Sequence, residues 1–393
     1  SSNGLEKRPK LRFPGFDDPY RKCRIGDIYA ERNQRGADNM ELLSVTMNDG
    51  VMPRSEIEGK DNSSEDKSNY KVVCKGDMVY NSMRMWQGAN GVSDYDGIVS
   101  PAYTVLMPTE EIDNQYFAAL FKTANLINEF RKNSQGLTSD TWNLKYPQIR
   151  AIKLYIPSLQ EQHKISSFIS TLEERIGKQR QLIDDLKKYK RGVTAKLITA
   201  IEEKYPVVKL GNHVAVMRGG SPRPIDAYIT NAENGIRWIK IGDALPDQLY
   251  ISDTKEKIKP EGAKKSRRVY AGDLILSNSM SFGRPYILKV DGCIHDGWLL
   301  IRDEKNNFDK RFLCFYLASD STLAQYKKFA AGSCVNNLNS ELVANVEIGM
   351  PPIEQQIHVA DILEKIDRQV EAASTMYLLL SKLRSSLLQQ LFI

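Results

Sequence analysis

Two stretches of the chain carry apolar residues at a seven-residue period. Over residues 157–198 the a positions are Ile165, Leu172, Gln179, Leu186 and Val193, and the d positions are Ile169, Ile176, Ile183, Lys190 and Leu197. Over residues 351–392 the a positions are Val359, Ile366, Ala373, Leu380 and Leu387, and the d positions are Leu363, Val370, Tyr377, Arg384 and Leu391. Five such heptads predict a long helix of the coiled-coil kind in each stretch. Pro157 and Pro351–Pro352 stand at the start, where a helix tolerates proline. A helix of 42 residues spans roughly 63 Å at about 1.5 Å per residue, too long to bury its stripe in one small domain. The economical partner is the other stretch, packed antiparallel. The predicted interface is Ile165, Ile169, Leu172, Ile176, Ile183 and Leu186 against Val359, Leu363, Ile366, Val370, Tyr377 and Leu380. The charged d residues Lys190 and Arg384 fall late in each helix. Antiparallel pairing brings each toward the other helix's start, where it can face solvent, carboxylates or a partner subunit.

The blocks ahead of the helices have another texture. Short apolar runs such as 78–80, 98–99, 236–239 and 274–276 lie between turn residues, among them Gly76-Asp77, Asn90-Gly91, Gly97 and Gly272-Asp273. This is the pattern of mixed α/β domains, each with a short helix, near residues 114–130 and 310–326. Residues 59–69 are polar and read as a mobile surface loop.

The chain is also written twice. Residues 22–27 reappear at 207–212, Gly76-Asp77 at Gly272-Asp273, and Asn143-Leu144 at Asn337-Leu338. Residues 157–198 align without a gap on 351–392, with five identities but thirteen positions apolar in both, so packing rather than chemistry is what the copies share. The predicted fold is α+β with an internal pseudo-two-fold repeat. Its divisions are a mixed domain (1–156), a long helix (157–204), a second mixed domain (205–350) and a second long helix (351–393).

Composition narrows the function. Apolar residues at 41% and charged residues at 26% describe an ordinary globular chain rather than a disordered one. No apolar run is long enough to span a bilayer. The first eight residues lack the apolar core of a signal peptide, and the missing initiator Met reads as trimming or a cloning scar. Cys23, Cys74, Cys293, Cys314 and Cys334 are odd in number and widely spaced, which argues against a zinc site or disulfide framework and fits a reducing cytoplasm. Asp17-Asp18-Pro19-Tyr20 is a turn rather than a methyltransferase loop, since no nucleotide-binding unit precedes it. There is no dinucleotide-binding glycine fingerprint, no phosphate-binding loop and no nucleophile elbow. Pro246-Asp247 with Asp253-Thr254-Lys255 mimics a nuclease core only by chance composition. His163 and His358 read as partly exposed helix residues. No catalytic residue and no metal site is expected.

Basic residues are better placed. Net charge is +6, enough to permit nucleic-acid binding without demanding it. Residues 255–268 hold seven basic and two acidic side chains, including Lys264, Lys265, Arg267 and Arg268; such clusters neutralise phosphates. Arg84, Trp86, Gln87 and Asn90 follow Gly76-Asp77, while Asn278, Phe282 and Arg284 follow Gly272-Asp273 at matching places. Arginine reads guanine, and Asn and Gln read adenine, by bidentate bonds in the major groove. Trp86 aligned with Phe282 is equally a core-packing pair. Arg54, Arg218, Arg223 and Lys240 complete the basic side.

Taken together, these residues resemble the specificity subunit of type I restriction–modification enzymes over nearly the whole chain. The marks are the leader 11–16 (Leu-Arg-Phe-Pro-Gly-Phe), 42–46 with Gly50-Val51, 236–239 with Asp243, and the Gly-Asp strands. The most specific is the Ile-Pro-x-Leu-x-Glu-Gln start of the first long helix; the second copy departs from it, with Gln355 in place of Glu161. The resemblance implies two target-recognition domains, each reading half of a split DNA target, held apart by the paired helices. It implies no cofactor in this chain. S-adenosylmethionine, ATP and Mg would belong to partners, namely two modification (methyltransferase) subunits and restriction (translocase/nuclease) subunits. Half-sites read from one side of B-DNA fall about 34–36 Å apart, so helix length would act as a ruler. The competing reading is a coiled-coil scaffold that binds only proteins.

Overall fold

The structure is a computed structural model that describes residues 8–392 except 37–39, 48–49, 60–62, 139–140, 246–247, 279–282 and 331–337. Phe282, Asn337, Cys334 and the pair Pro246-Asp247 therefore lie outside the described residues. The chain forms two compact units, residues 1–179 with 376–393, and residues 180–375.

In the first unit an antiparallel sheet runs in the order Tyr29–Glu31, Tyr103–Pro108, Met78–Asn81, Asn90–Val92. Three further strand pairs flank it: Arg21–Arg24 with Lys153–Ile156, Leu43–Thr46 with Gly50–Pro53, and Lys71–Val73 with Gly97–Val99. In the second unit one five-stranded sheet runs Ala215–Arg218, Trp298–Arg302, Leu274–Ser277, Pro285–Leu288, Tyr250–Ile251. The other runs Ile229–Thr230, Glu256–Ile258, Ile236–Ile239, Gly292–Ile294, Arg267–Val269.

The single short helix expected in each domain is a pair. Asn114–Leu120 is followed by Ala124–Asn133, where the Thr123 hydroxyl caps the second piece. Lys310–Leu317 is followed by Asp320–Ala330, where the Thr322 hydroxyl donates to the Tyr316 carbonyl at the break. In both cases a hydroxyl beside the break satisfies backbone groups that a continuous helix would have paired internally. Residues 63–69 form neither helix nor strand.

The repeated Gly-Asp is a turn device. Gly76 and Gly272 have φ of +93° and +87°, the left-handed region that glycine adopts freely. The following carboxylates close the turn on an upstream amide, Asp77 on Cys74 at 2.8 Å and Asp273 on Tyr270 at 2.9 Å. Each is clasped by an arginine, Arg32 to Asp77 at 2.7 Å and Arg302 to Asp273 at 2.6 Å.

The long helices run Leu159–Lys204 and Ile353–Leu391. In the first unit, Ile165 and Ile169 from the start of one share a core with Leu388, Leu391 and Phe392 from the end of the other. In the second unit, Ile198 and Ile201 from the end of the first share a core with Val359, Leu363 and Ile366 from the start of the second. The pairing is antiparallel. Along the predicted seam, Leu172, Val370 and Leu380 are buried, while Ile176, Ile183, Leu186 and Tyr377 are half-buried. Both charged d residues meet carboxylates on the facing helix. Arg384 donates to Glu173 at 2.6 and 3.0 Å, and Lys190 pairs with Asp367. Lys190 is seventeen residues beyond Glu173, and Asp367 is seventeen before Arg384, so both pairs obey one register.

The glutamine shared by the two helix starts explains their signature. In the first unit, buried Gln162 accepts from the Asp113 amide at 3.1 Å and donates to the Pro157 carbonyl at 3.0 Å. In the second, buried Gln356 accepts from the Asp309 amide at 2.9 Å and donates to the Pro351 carbonyl at 2.9 Å. Asp113 and Asp309 are the N-caps of the short helices, so one side chain fastens each long helix to its domain. Glu161 has a separate task. It receives Arg12 at 2.8 and 2.9 Å and the Tyr20 hydroxyl at 3.2 Å, anchoring the leader. Its bonds to Glu161 hold the Arg12 guanidinium even more firmly protonated than usual, against the cost of burial. Gln355 is exposed, and no cation among the described residues is paired with it.

Candidate nucleic-acid interface

One scaffold recurs in both units. In the first, the strand 78–81 ends beside the three-residue connection Ser100-Pro101-Ala102, and the Ser82 amide donates to the Ala102 carbonyl at 3.1 Å. In the second, the strand 274–277 ends beside His295-Asp296-Gly297, and the Asn278 amide donates to the Gly297 carbonyl at 2.9 Å. The buried Leu144 and Leu338 lock these strand ends, donating to the Ser82 and Asn278 carbonyls at 2.8 and 3.1 Å. This is the physical content of the repeated Asn-Leu.

On the first scaffold lies a cleft of about 370 Å³ whose lining includes Ser44, Arg54, Asn81, Met83, Arg84 and Tyr103 but no carboxylate among the described residues. Arg84 is exposed. Arg54 is half-buried and donates to the Ile57 and Gly59 carbonyls at 2.6 and 3.0 Å, which ties down its own loop. Trp86 is half-buried, edge-on to Trp142 at 5.2 Å with Arg131 5.7 Å above its ring, and Gln87 beside it is also half-buried. Asn90 does not join this surface. It is fully buried in a strand, and its side-chain amide donates to the Gly88 carbonyl at 3.1 Å.

On the second scaffold the chain 218–221 straps the connection. The Gly219 amide donates to Trp298 at 2.8 Å and the Gly220 amide to Ile294 at 3.1 Å. A Cβ on Gly219 would stand 2.1 Å from the His295 carbonyl oxygen, so only glycine allows the approach. The basic turn joins them. Ser266 Oγ donates to the Gly220 carbonyl at 2.6 Å, and Arg267 Nε to the Arg218 carbonyl at 3.2 Å. Arg218, Arg223, Lys264, Lys265, Arg267 and Arg268 are all exposed around this assembly. Lys265 lies over the Tyr228 ring at 5.0 Å.

At the centre of these cations is a carboxylate that residue type alone does not single out. Asp296 Oδ1 accepts from Ser221 Oγ at 2.8 Å and has His295 Nε2 3.0 Å away. The Gly297 amide donates to His295 Nδ1 at 2.9 Å, which leaves the ring proton on Nε2. Burial opposes the charge of Asp296, but the Ser221 hydroxyl and the nearby His295 and Arg218 hold its carboxyl below the usual carboxylate value. Asn278 is buried and supports the turn from behind, donating to the Asp296 carbonyl at 2.9 Å. Lys240 is half-buried and pairs with Glu256. Arg284 pairs through its backbone with Ser277 at the scaffold strand's end and lines a cleft of about 390 Å³ with Lys187, Lys190 and Arg191. Asp253 is exposed beside Arg237 at 3.7 Å, the setting of a solvated surface pair.

The model of the type I restriction modification DNA specificity domain matches residues 20–188 and again 202–376. The chain belongs to this family. As a specificity subunit it carries two such domains, each containing one of the scaffolds described above. It is 24% identical over 345 residues to a Methanocaldococcus jannaschii chain provisionally named the type I restriction enzyme MjaX specificity subunit, covering 79% of this chain and 76% of that one. It is 24% identical over 341 residues to the MjaVIII specificity subunit of the same organism, covering 77% of each. In fold it is similar to the type I restriction–modification S subunit from M. genitalium, with a TM-score of 0.61 at 15% identity, covering 98% of this chain and 99% of that one. No described helix of the specificity subunit is long and apolar enough to cross a membrane.

Proposed function

We propose that this specificity subunit reads a bipartite duplex target, one half-site with each domain, and carries no catalysis itself. The observation that supports this most directly is the recurrence of one strand-end scaffold in both domains with different side chains mounted on it. Exposed Arg84 marks the first face, and Arg218, Arg223, Arg267 and Arg268 the second. Arginine and lysine there neutralise phosphates and set register, while the side chains between them meet base edges.

Methylation and cleavage fall to two modification subunits and to restriction subunits, which bring S-adenosylmethionine, ATP and Mg; the assembly works in the cytoplasm. Leu378, Leu379 and Leu383 in the first unit, and Leu182 and Tyr189 in the second, are large apolar side chains exposed on the long helices. Apolar surface of this kind suits permanent partners, and it favours docking of the modification subunits along the helices.

The test is methylome sequencing of cells expressing the chain with its modification subunits. One methylated motif of two short halves separated by a fixed unread spacer is the expected result. A continuous motif, or none from an assembled complex, overturns the reading. A scaffold that binds only proteins would show no steep salt dependence of duplex binding.

A further inference from the structure

Resting on the proposed reading of bipartite DNA, we infer that Asp296 is a base-reading residue of the second domain. Its carboxylate accepts from the exocyclic amino group of a cytosine or adenine in the major groove, with Ser221 and His295 as positioning residues.

The argument starts from what the side chain is for. Asp296 is only partly consumed by the fold. Its own carbonyl takes the structural bonds, from Asn278 at 2.9 Å and Arg218 Nε at 3.4 Å. Its carboxylate is left 31% exposed among exposed cations. Ser221 donates to Oδ1 and His295 Nε2 lies 3.0 Å from the same oxygen, while Oδ2 has the exposed Arg223 guanidinium 3.9 Å away. A carboxylate on a phosphate-binding face costs affinity unless it finds a donor. In the major groove the donors are cytosine N4 and adenine N6, whereas guanine N7 and O6 and thymine O4 are acceptors that an anion repels. The same group therefore selects and rejects.

The connection is also built to hold position. The Gly219–His295 approach and the Asn278 bond hold its backbone, and Ser266 ties down its neighbours Gly220 and Ile294. The corresponding connection of the first domain, Ser100-Pro101-Ala102, presents no carboxylate to its cleft. The two domains thus mount different heads on one frame, and the preference for an amino group belongs to one half-site only.

The experiment replaces Asp296 with Asn in the complex with the modification subunits. The amide keeps one oxygen for Ser221 and His295 but turns a donor toward the groove. Methylome motifs are compared with wild type. Purified complexes are then competed with duplexes carrying each of the four base pairs at every position of the second half-site. The expected result is loss of about ten- to hundred-fold discrimination at a single pair of that half-site, with the first half-site unchanged. The wild-type preference at that pair, C·G or A·T, tells which amino group is read. Ser221→Ala should relax the same pair more weakly. An active Asp296→Asn complex that keeps the full motif overturns the inference, as does equal loss at both half-sites, which marks a purely structural role. A bipartite wild-type motif alongside an unaltered mutant motif overturns Asp296 alone and leaves the proposed function standing.

Discussion

Gln162, Gln356 and Glu161 look interchangeable in sequence, but their environments separate them. The two glutamines each join a helix start to a cap residue through one part-buried and one buried bond. Gln162→Ala or Gln356→Ala should cost about 1–3 kcal/mol, since a part-buried amide and a buried carbonyl lose their partners, read as a lower midpoint in urea unfolding. Glu161→Gln, which copies the second repeat, should cost on the order of 3 kcal/mol because it leaves Arg12 half of an ion pair whose carboxylate is 1% exposed. An unchanged midpoint would show that the leader does not depend on this pair. On the candidate DNA face, Arg267→Ala with Arg268→Ala should weaken duplex binding and flatten its salt slope by about one for each phosphate no longer neutralised. Titration of binding across salt checks this, and an unaltered slope would place both side chains away from the backbone.

The elements are legible where a period or a repeat carries the information. The heptads delimit both long helices to within a few residues, and matching Gly-Asp pairs mark equivalent turns. Each pair of short helices reads as one helix in sequence, because a hydroxyl-satisfied break leaves no glycine or proline to signal it. The candidate reading faces are hardest. The second is assembled from residues 218–223, 264–268, 278 and 295–297, and sequence proximity cannot show that they meet. Choosing candidates by residue type also picks Asn90 and Asn278, whose amides are spent inside the domains, and passes over Asp296. Setting His295-Asp296-Gly297 against Ser100-Pro101-Ala102 is the signal that would find it. Between the helices, a double-mutant cycle on Lys190→Ala and Asp367→Ala should give a coupling of about 0.5–1 kcal/mol, and one on Arg384→Ala and Glu173→Ala a similar value. The mismatched cycle, Lys190 with Glu173, should give none, and coupling there would refute the register.

For the whole molecule, the proposed reading requires the two frames to act separately. Replacing residues 20–155 by the equivalent domain of a related chain should change one half-site and leave the other intact, as sequenced methylomes would show. Simultaneous change of both would mean that the domains do not read independently. Insertion of four residues, about 6 Å of helix, at equivalent places in both long helices should lengthen the unread spacer by roughly one to two base pairs at 3.4 Å each. A folded, active variant with the old spacer would show that helix length is not the ruler.

The glutamine joint has an evolutionary consequence. It clasps a backbone amide and a backbone carbonyl, so the bond asks nothing of the side chains that the loops present. A crossover between two genes along the helix-coding segments, past the turns that pack into the domain core, exchanges one domain together with its fastening. Lineages carrying such a chain can acquire a new target in a single recombination event, while point mutation works on the old one base at a time.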